Sequence, residues 1–372
     1  MIPPPPIRPA DPVTLQATTD VSPAALAGYG AVIDVRSPSE FAQDHVPGAV
    51  NLPVLTDAER AQVGTIYVQE SRFKARRVGA ALVARNIAAH LETALAEQPG
   101  GFFPLIYCWR GGMRSNAMAT VLAQVGWRTT LLTGGYMTYR RYVSARLYDA
   151  VLPHRFVLLD GQTGSAKTEI LGRLAAQGLQ VLDLEGLAEH RGSLFGGLGR
   201  EQPSQKLFES RLLCAIDGLD PGLPVVVEAE SSKIGDRMVP PALWTRFADA
   251  PRIELVADRA GRAGYLVVAY REIVADRAAL DDAFTRLPVH PSRPRLENWR
   301  QLADAGAFAE LAEALMALHY DPAYDQARKK RAAAAIATVA VAPGDPASQD
   351  AAAREILRVV GALDAPPVRR DP

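Results

Sequence analysis

Short apolar runs alternate with longer stretches of helical spacing along most of this chain. Residues 30–35 (Gly-Ala-Val-Ile-Asp-Val), 104–107, 127–132, 156–159, 180–184, 224–227 and 252–256 read as strands, several of them rich in β-branched residues. Residues 50–53 read as a further short strand after a turn. Between them the spacing predicts a short helix at Glu40 and Phe41 and helices over 75–95, 115–124 and 167–177. A Tyr/Arg-rich helix is predicted within 136–153. Residues 264–318 read as mostly helical, with an Arg/Pro interruption at 287–295. Strands alternating with helices predict an α/β fold with parallel sheets. After residue 332 the chain becomes Ala-rich and low in complexity, with one amphipathic helix expected over 351–363.

A chain of 372 residues is long for one core, so two domains are expected. Lys+Arg and Asp+Glu are both 41, which excludes a strongly polycationic nucleic-acid binder but leaves room for local basic surfaces. No apolar run has the length of a membrane-spanning helix. The opening Met1-Ile2-Pro3-Pro4-Pro5-Pro6 lacks the basic and apolar regions of an export signal and reads as a polyproline lead-in, so the cytoplasm, with no membrane partner, is expected. Cys108 and Cys214 are the only cysteines, too few for a disulfide framework or a zinc knuckle. That usage fits a reducing compartment and a thiol kept for its reactivity. Cys214 lies in a Leu/Ile-rich helical stretch and reads as core.

Two loops carry the candidate chemistry. Cys108 ends the strand 104–107 and opens Trp109-Arg110-Gly111-Gly112-Met113-Arg114-Ser115. Ligands bind at such strand ends in α/β sheets. Gly111 and Gly112 let several N–H groups converge, and the following helix N-terminus favours negative charge. Arg110 and Arg114 add positive charge, so a thiolate or persulfide-like anion is stabilised. A merely packed cysteine has no need of these neighbours. The second loop, Gly161-Gln162-Thr163-Gly164-Ser165-Ala166-Lys167-Thr168, follows a strand and opens a helix, the context a P-loop requires. Backbone N–H groups at Gly161, Thr163, Gly164 and Ser165 would cradle a diphosphate, Lys167 would reach its outer oxygens, and Thr168 would ligate Mg2+. Ala166 replaces the usual Gly before the Lys, which a near-helical backbone would accept, and it weakens the motif for an ordinary nucleotide. Acids ending neighbouring strands are candidates to hold Mg2+ through water. Glu228 and Glu230 are favoured after the longer apolar run, with Asp183 and Glu185 as a second pair. A helix cap or a salt bridge is the alternative for any one of them.

The motifs resemble known families. Asp34-Val35-Arg36-Ser37-Pro38-Ser39-Glu40-Phe41, then His45-Val46-Pro47-Gly48, then Cys108 to Ser115, then Leu132-Thr133-Gly134-Gly135-Tyr136 resemble the successive motifs of a rhodanese domain over residues 11–141. The resemblance implies that Cys108 is the chalcogen-carrying or nucleophilic residue and that Asp34 and Arg36 lie near its loop. An internal salt bridge at the strand end is the alternative for Asp34. Asp183-Leu184-Glu185-Gly186, His190-Arg191-Gly192-Ser193, Gln202-Pro203-Ser204-Gln205 and Glu228-Ala229-Glu230-Ser231, with His319-Tyr320-Asp321-Pro322, extend the resemblance to the bacterial tRNA 2-selenouridine synthases, from about residue 11 to 331. The fold this implies is a rhodanese-like parallel-sheet domain (11–141), a linker helix (142–153) and a P-loop NTPase-like doubly wound α/β domain with a helical C-terminal part (154–331), followed by a low-complexity tail (332–372).

The resemblance further implies a selenotransferase with geranyltransferase activity. Geranyl diphosphate would alkylate the sulfur of a wobble 2-thiouridine, and selenophosphate would then supply selenium as the S-geranyl group leaves. It makes the tRNA anticodon stem-loop the substrate and selenophosphate synthetase a candidate partner. A folded RNA needs a positive track, for which Arg76, Arg77, Arg140 and Arg141 are the first candidates and the clusters at 293–295 and 328–331 further ones. Trp109, Tyr136 and Tyr139 are candidates to stack an unpaired base. A charge run is otherwise a solvated helix face. Two alternatives are a rhodanese-type tRNA sulfurtransferase with an ATP-using P-loop domain, and a chalcogen-sensing module with a regulatory P-loop. His45 reads as a turn-bonding residue.

Overall fold

Pro104, Leu105, Ile106 and Tyr107 are all buried, as a strand apolar on both faces must be. In the computed structural model, which describes residues 15–191, 201–285, 287, 291–329 and 334–364, they form the middle of a parallel sheet. The chain divides into two units: the described residues up to Arg146 with Glu209–Cys214, and the remainder.

The first unit contains β1 (Gln16–Thr18), α1 (Pro23–Leu26), β2 (Ala31–Asp34), α2 (Pro38–Gln43), β3 (Val50–Asn51), α3 (Asp57–Gln69), α4 (Arg72–Glu92), β4 (Pro104–Tyr107), α5 (Met113–Val125), β5 (Thr130–Leu132) and α6 (Tyr136–Ser144). Its sheet runs β1-β5-β4-β2-β3, every pair parallel. Capping boxes start two helices: Ser37 with Glu40 for α2 and Thr56 with Glu59 for α3. Gly126, in the left-handed region, ends α5. Ile33, Val35, Ile106, Met118 and Leu122 form the core. The helix predicted within 136–153 stops at Ser144 and continues as a π-helical turn, Ala145–Asp149.

The second unit contains β6 (Arg155–Gly161), α7 (Lys167–Ala176), β7 (Gln180–Leu182), α8 (Leu184–Leu187), α9 (Gln205–Asp217), β8 (Pro224–Glu228), the hairpin β9 (Lys233–Ile234) and β10 (Arg237–Met238), α10 (Pro241–Ala248), β11 (Arg252–Val256), α11 (Arg259–Ala269), α12 (Arg271–Ala275), α13 (Arg277–Thr285), α14 (Arg293–Asp304), α15 (Phe308–Leu315), α16 (Asp321–Lys329), β12 (Ala337–Ala340) and α17 (Pro346–Asp364). Residues 209–214 of α9 group with the first unit. The large sheet runs β12-β11-β6-β8-β7, all parallel, with the phosphate-loop strand β6 at its centre.

Residues 334–364 do not behave as the tail expected from residue 332. β12 pairs with β11, and Val339, Val341, Ala352, Ala353, Ile356 and Val360 pack into the same core as Val157, Leu159 and Ile253. The amphipathic helix expected over 351–363 is present as α17, and what the alanine-rich composition hid is that its small face packs into this core. Cys214, expected in the core, is exposed, because α9 turns Leu212, Leu213 and Ile216 inward instead. No described helix is long and apolar enough to cross a membrane.

Candidate active site

β4 delivers Cys108 to the loop before α5, where the residue is 3% exposed. Its Sγ lies 3.2 Å from Ser115 Oγ and accepts the Gly112 N–H at 3.2 Å. Burial by itself pushes the thiol up. Hydrogen bonds from Ser115 and Gly112 and the Arg114 guanidinium outweigh that and bring it below its ordinary value. A second glycine turn supports the loop from below. Gly135 has φ +59°, and a Cβ there would fall 2.2 Å from the Cys108 carbonyl oxygen, which accepts the Tyr136 N–H at 2.8 Å. Arg110 is exposed, and Arg114 pairs with Glu40 at 2.7 Å.

Asp34 and Arg36 form a buried ion pair at the end of β2, with Nη2 to Oδ2 at 2.6 Å. The same Nη2 donates to the Asp44 carbonyl at 2.6 Å, and the guanidinium lies 4.1 Å from the centre of the Tyr136 ring. The pair acts as an internal brace for the strand end. His45 Nδ1 bonds the Phe41 carbonyl at 2.9 Å, closing the end of α2.

In the second unit β6 runs into the phosphate loop and α7 leaves it. Lys167 Nζ donates to the Gly161 carbonyl at 2.9 Å, turned back over its own loop. Gly164 has φ +86°, and a Cβ there would meet Leu266 at 2.9 Å, so α11 presses directly on the loop. Arg262 Nη1 braces the loop by donating to the Thr163 carbonyl at 3.2 Å, and it holds Asp321 at 2.9 Å. The Ser165 hydroxyl is buried without a partner. Ala166 corrects the near-helical expectation: its φ and ψ are 61° and 34°, in the left-handed region. That region costs an L-residue with a Cβ about 1–2 kcal/mol.

The acids fall into distinct places. Asp183 Oδ1 caps α8, accepting the Gly186 N–H at 2.7 Å. Glu228 is buried behind the loop, and its Oε1 accepts the Glu185 N–H at 2.7 Å. Glu230 lines the loop pocket. So does Glu185, the less favoured acid by sequence, whose Oε2 accepts from Thr168 Oγ1 at 3.1 Å. Burial pushes Glu185, Glu228 and Glu230 all above the ordinary carboxylate range, and for Glu185 the nearby Glu230 adds to it. The spacing signal for Glu185 was present, two residues after Asp183, but strand length pointed to the other pair. Among the described residues no three His, Cys, Asp or Glu side chains cluster in a metal-holding arrangement. The hard oxygens of Thr168, Glu185 and Glu230 nevertheless suit Mg2+ shared with a ligand's phosphate oxygens.

The pocket over the loop measures about 260 Å³ and is lined by residues 163–169 with Glu185, Arg191, Glu230, Tyr265 and Tyr320. Next to it lies an apolar cavity of about 70 Å³ between α11, α12 and α15. The two share Thr163, Leu266, Tyr270 and Tyr320 as walls.

Residues 23–141 match the rhodanese-like domain, and residues 154–283 match the tRNA 2-selenouridine synthase AAA domain. A tRNA 2-selenouridine synthase of Cupriavidus necator is 40% identical over 249 residues, covering 64% of this chain and 65% of that protein. Another, from Bdellovibrio bacteriovorus, is 36% identical over 230 residues, 60% of this chain and 59% of that one. The chain is similar to the tRNA 2-selenouridine synthases. It spans about three fifths of the length of the curated relatives it matches. Among solved structures, a shikimate kinase from Bacteroides thetaiotaomicron aligns with 56% of this chain and 98% of that one, at 12% identity and a TM-score of 0.27.

The residues proposed from sequence to hold RNA differ in availability. Arg76 and Arg77 are exposed on α4. Arg141 is exposed and reaches Thr138 Oγ1 at 3.2 Å. Arg140 is largely covered, paired with Glu209 and 3.9 Å from Asp44, so two carboxylates already balance its charge. Tyr136 and Tyr139 are 1% and 3% exposed, which removes them as stacking platforms for a base. Tyr136 instead donates to Asp44 Oδ2 at 2.7 Å, and Trp109 packs on its ring at 5.2 Å. Arg293 and Arg295 are exposed on α14. Of the cluster at 328–331, Lys330 and Arg331 lie outside the described residues, as do Met1 to Pro6 and Gly192 to Gly196.

Proposed function

We propose that this chain converts wobble 2-thiouridine of tRNA to 2-selenouridine through an S-geranyl intermediate, using geranyl diphosphate and selenophosphate. The observation that carries the reading is the junction of the phosphate-loop pocket with the apolar cavity walled by Thr163, Leu266, Tyr270 and Tyr320. A nucleotide has no need of a hydrocarbon-lined annex beside its phosphates. A prenyl diphosphate needs one, and the cavity accommodates part of its chain next to its charged head.

In the first step the uridine sulfur bonds to C1 of the geranyl group, the C1–O bond breaks, and diphosphate departs. The N3 proton of the base goes to solvent. Lys167 and the loop N–H groups stabilise the negative charge on the leaving diphosphate. Mg2+, held by Thr168 with Glu185 and Glu230, would supply further positive charge there. In the second step the selenium of selenophosphate bonds to C2 and the C2–S bond breaks, the sulfur leaving with the donor's proton as geranylthiol, a far better leaving group than a thiocarbonyl sulfur. Water then cleaves the P–Se bond, phosphate departs and N3 regains its proton. Cys108, with a thiol tuned downward and a nest of N–H groups around it, serves this selenium step. The exposed Arg110 and the Glu40-paired Arg114 add positive charge around the phosphorus donor. The cytoplasm is the compartment that holds both tRNA and reduced thiols, and selenophosphate synthetase is the proposed supplier of the donor.

Mass analysis of tRNA nucleosides tests the scheme. Incubation with geranyl diphosphate alone should yield S-geranyl-2-thiouridine, and later addition of selenophosphate should yield 2-selenouridine. Lys167→Ala should block the first product. Cys108→Ser should leave the first and block the second. Absence of any geranylated nucleoside, with tRNA-stimulated ATP hydrolysis in its place, would overturn the reading in favour of an ATP-using sulfurtransferase.

A further inference from the structure

In the first unit a cleft of about 450 Å³ opens between α3, α4 and the start of α5. Val63 and Tyr67 of α3, Gly79 and Val83 of α4 and Met113 of α5 give it an apolar lining, and Arg76 stands in its wall. Tyr67 and Met113 are 48% and 70% exposed. Phe73, 75% exposed, precedes Arg76 by three residues and the cleft-lining Ala80 by seven, which puts it on the same face of α4. Arg72 lies over the Tyr67 ring at 5.6 Å. Arg76 and Arg77 have no acidic partner among the described residues, unlike Lys74, which pairs with Glu70.

Water-facing aromatics next to unpaired arginines, around an apolar slot, have the chemistry of a nucleotide. A base offers flat apolar faces that stack on aromatic side chains, and the attached phosphates need cations. A hydrocarbon ligand would have no use for Arg76 and Arg77, and an acidic peptide would have none for the slot.

We propose that this cleft binds an unpaired nucleotide of the RNA substrate, with its base against Tyr67, Phe73 and Met113 and its flanking phosphates on Arg76 and Arg77. The assignment rests on the RNA-modifying function proposed above. Its position suits that function. Met113 and Arg114 open α5, and the next residue, Ser115, touches Cys108 Sγ, so the cleft adjoins the thiol loop.

The test is binding of the full chain to a fluorescently labelled anticodon stem-loop RNA containing 2-thiouridine, over a series of salt concentrations. Phe73→Ala should weaken binding about ten-fold. Arg76→Ala with Arg77→Ala should also flatten the plot of log Kd against log salt by about 1.4, which a fold defect would not do. Both variants change exposed side chains, and thermal melting should match the wild-type protein. If wild type binds the RNA and the folded variants bind equally tightly with the same salt slope, the cleft is not an RNA site and faces a protein partner or none. If wild type itself binds no tRNA, the proposed function falls and this assignment falls with it.

Discussion

The sulfur of Cys108 and the hydroxyl of Ser115 stand 3.2 Å apart across the turn that opens α5. When the thiol is neutral, Ser115 has the Gly112 carbonyl to donate to, at 3.1 Å. When the sulfur is ionised, the hydroxyl turns its proton to it. Ser115 therefore favours the thiolate, and the thiol should ionise below its ordinary value of 9.0. Ser115→Ala should move the midpoint upward, so that at neutral pH less thiolate is present. Thiolate ultraviolet absorbance, titrated against a Cys108→Ser blank, reads this directly. An unchanged midpoint would assign the shift to the backbone N–H groups alone.

Gly135→Ala should disable the thiol loop. The position combines φ +59° with an approach to the Cys108 carbonyl that a methyl group cannot share. The backbone must move, at a cost on the order of 1–3 kcal/mol. Loss of the selenation step with the geranylation step retained is the expected outcome, measured by tRNA nucleoside mass analysis.

Ala166→Gly tests the strain in the phosphate loop. Relief of the left-handed conformation is worth about 1–2 kcal/mol. The added freedom of the unfolded glycine chain offsets about 0.4–1 kcal/mol of it. The substitution should therefore be neutral or slightly stabilising in denaturant unfolding of the second unit. At an ordinary helical position the same change would cost about 1 kcal/mol.

Ile356→Ala should lower the stability of the second unit by about 2–5 kcal/mol, because the side chain is fully buried in the sheet core. Guanidinium unfolding followed by circular dichroism should show the loss. A change under 0.5 kcal/mol would mean that α17 is dispensable to that core.

Much of this was legible in the sequence where residue type and spacing encode the structure. β4 is apolar throughout and β8 is apolar up to Glu228, and Cys108 and Lys167 follow strands within glycine-rich loops, so their places could be read directly. β1 has three residues, too few to show a period, and α3 buries only Ile66, so neither left an apolar pattern to find. β12 and the core packing of α17 were obscured because alanine is equally at home in tails and in tightly packed helices. Tyr136 and Tyr139 showed their chemistry but not their burial, since their partners Asp44 and Ser210 lie far away in the sequence. Glu185 was the hardest to choose, since four acids follow two neighbouring strands and only the fold decides which of them meets Thr168.

The strand order β12-β11-β6-β8-β7 also has a consequence for biosynthesis. β11 ends at Val256, but its outer neighbour β12 begins only at Ala337. At ribosomal elongation rates that interval lasts roughly 4–16 s. For those seconds a strand next to the phosphate-loop strand presents a bare edge of unpaired N–H and C=O groups to other nascent chains. Residues 337–340 thus act as a closing seam, and that edge of the newborn protein stays open until they emerge.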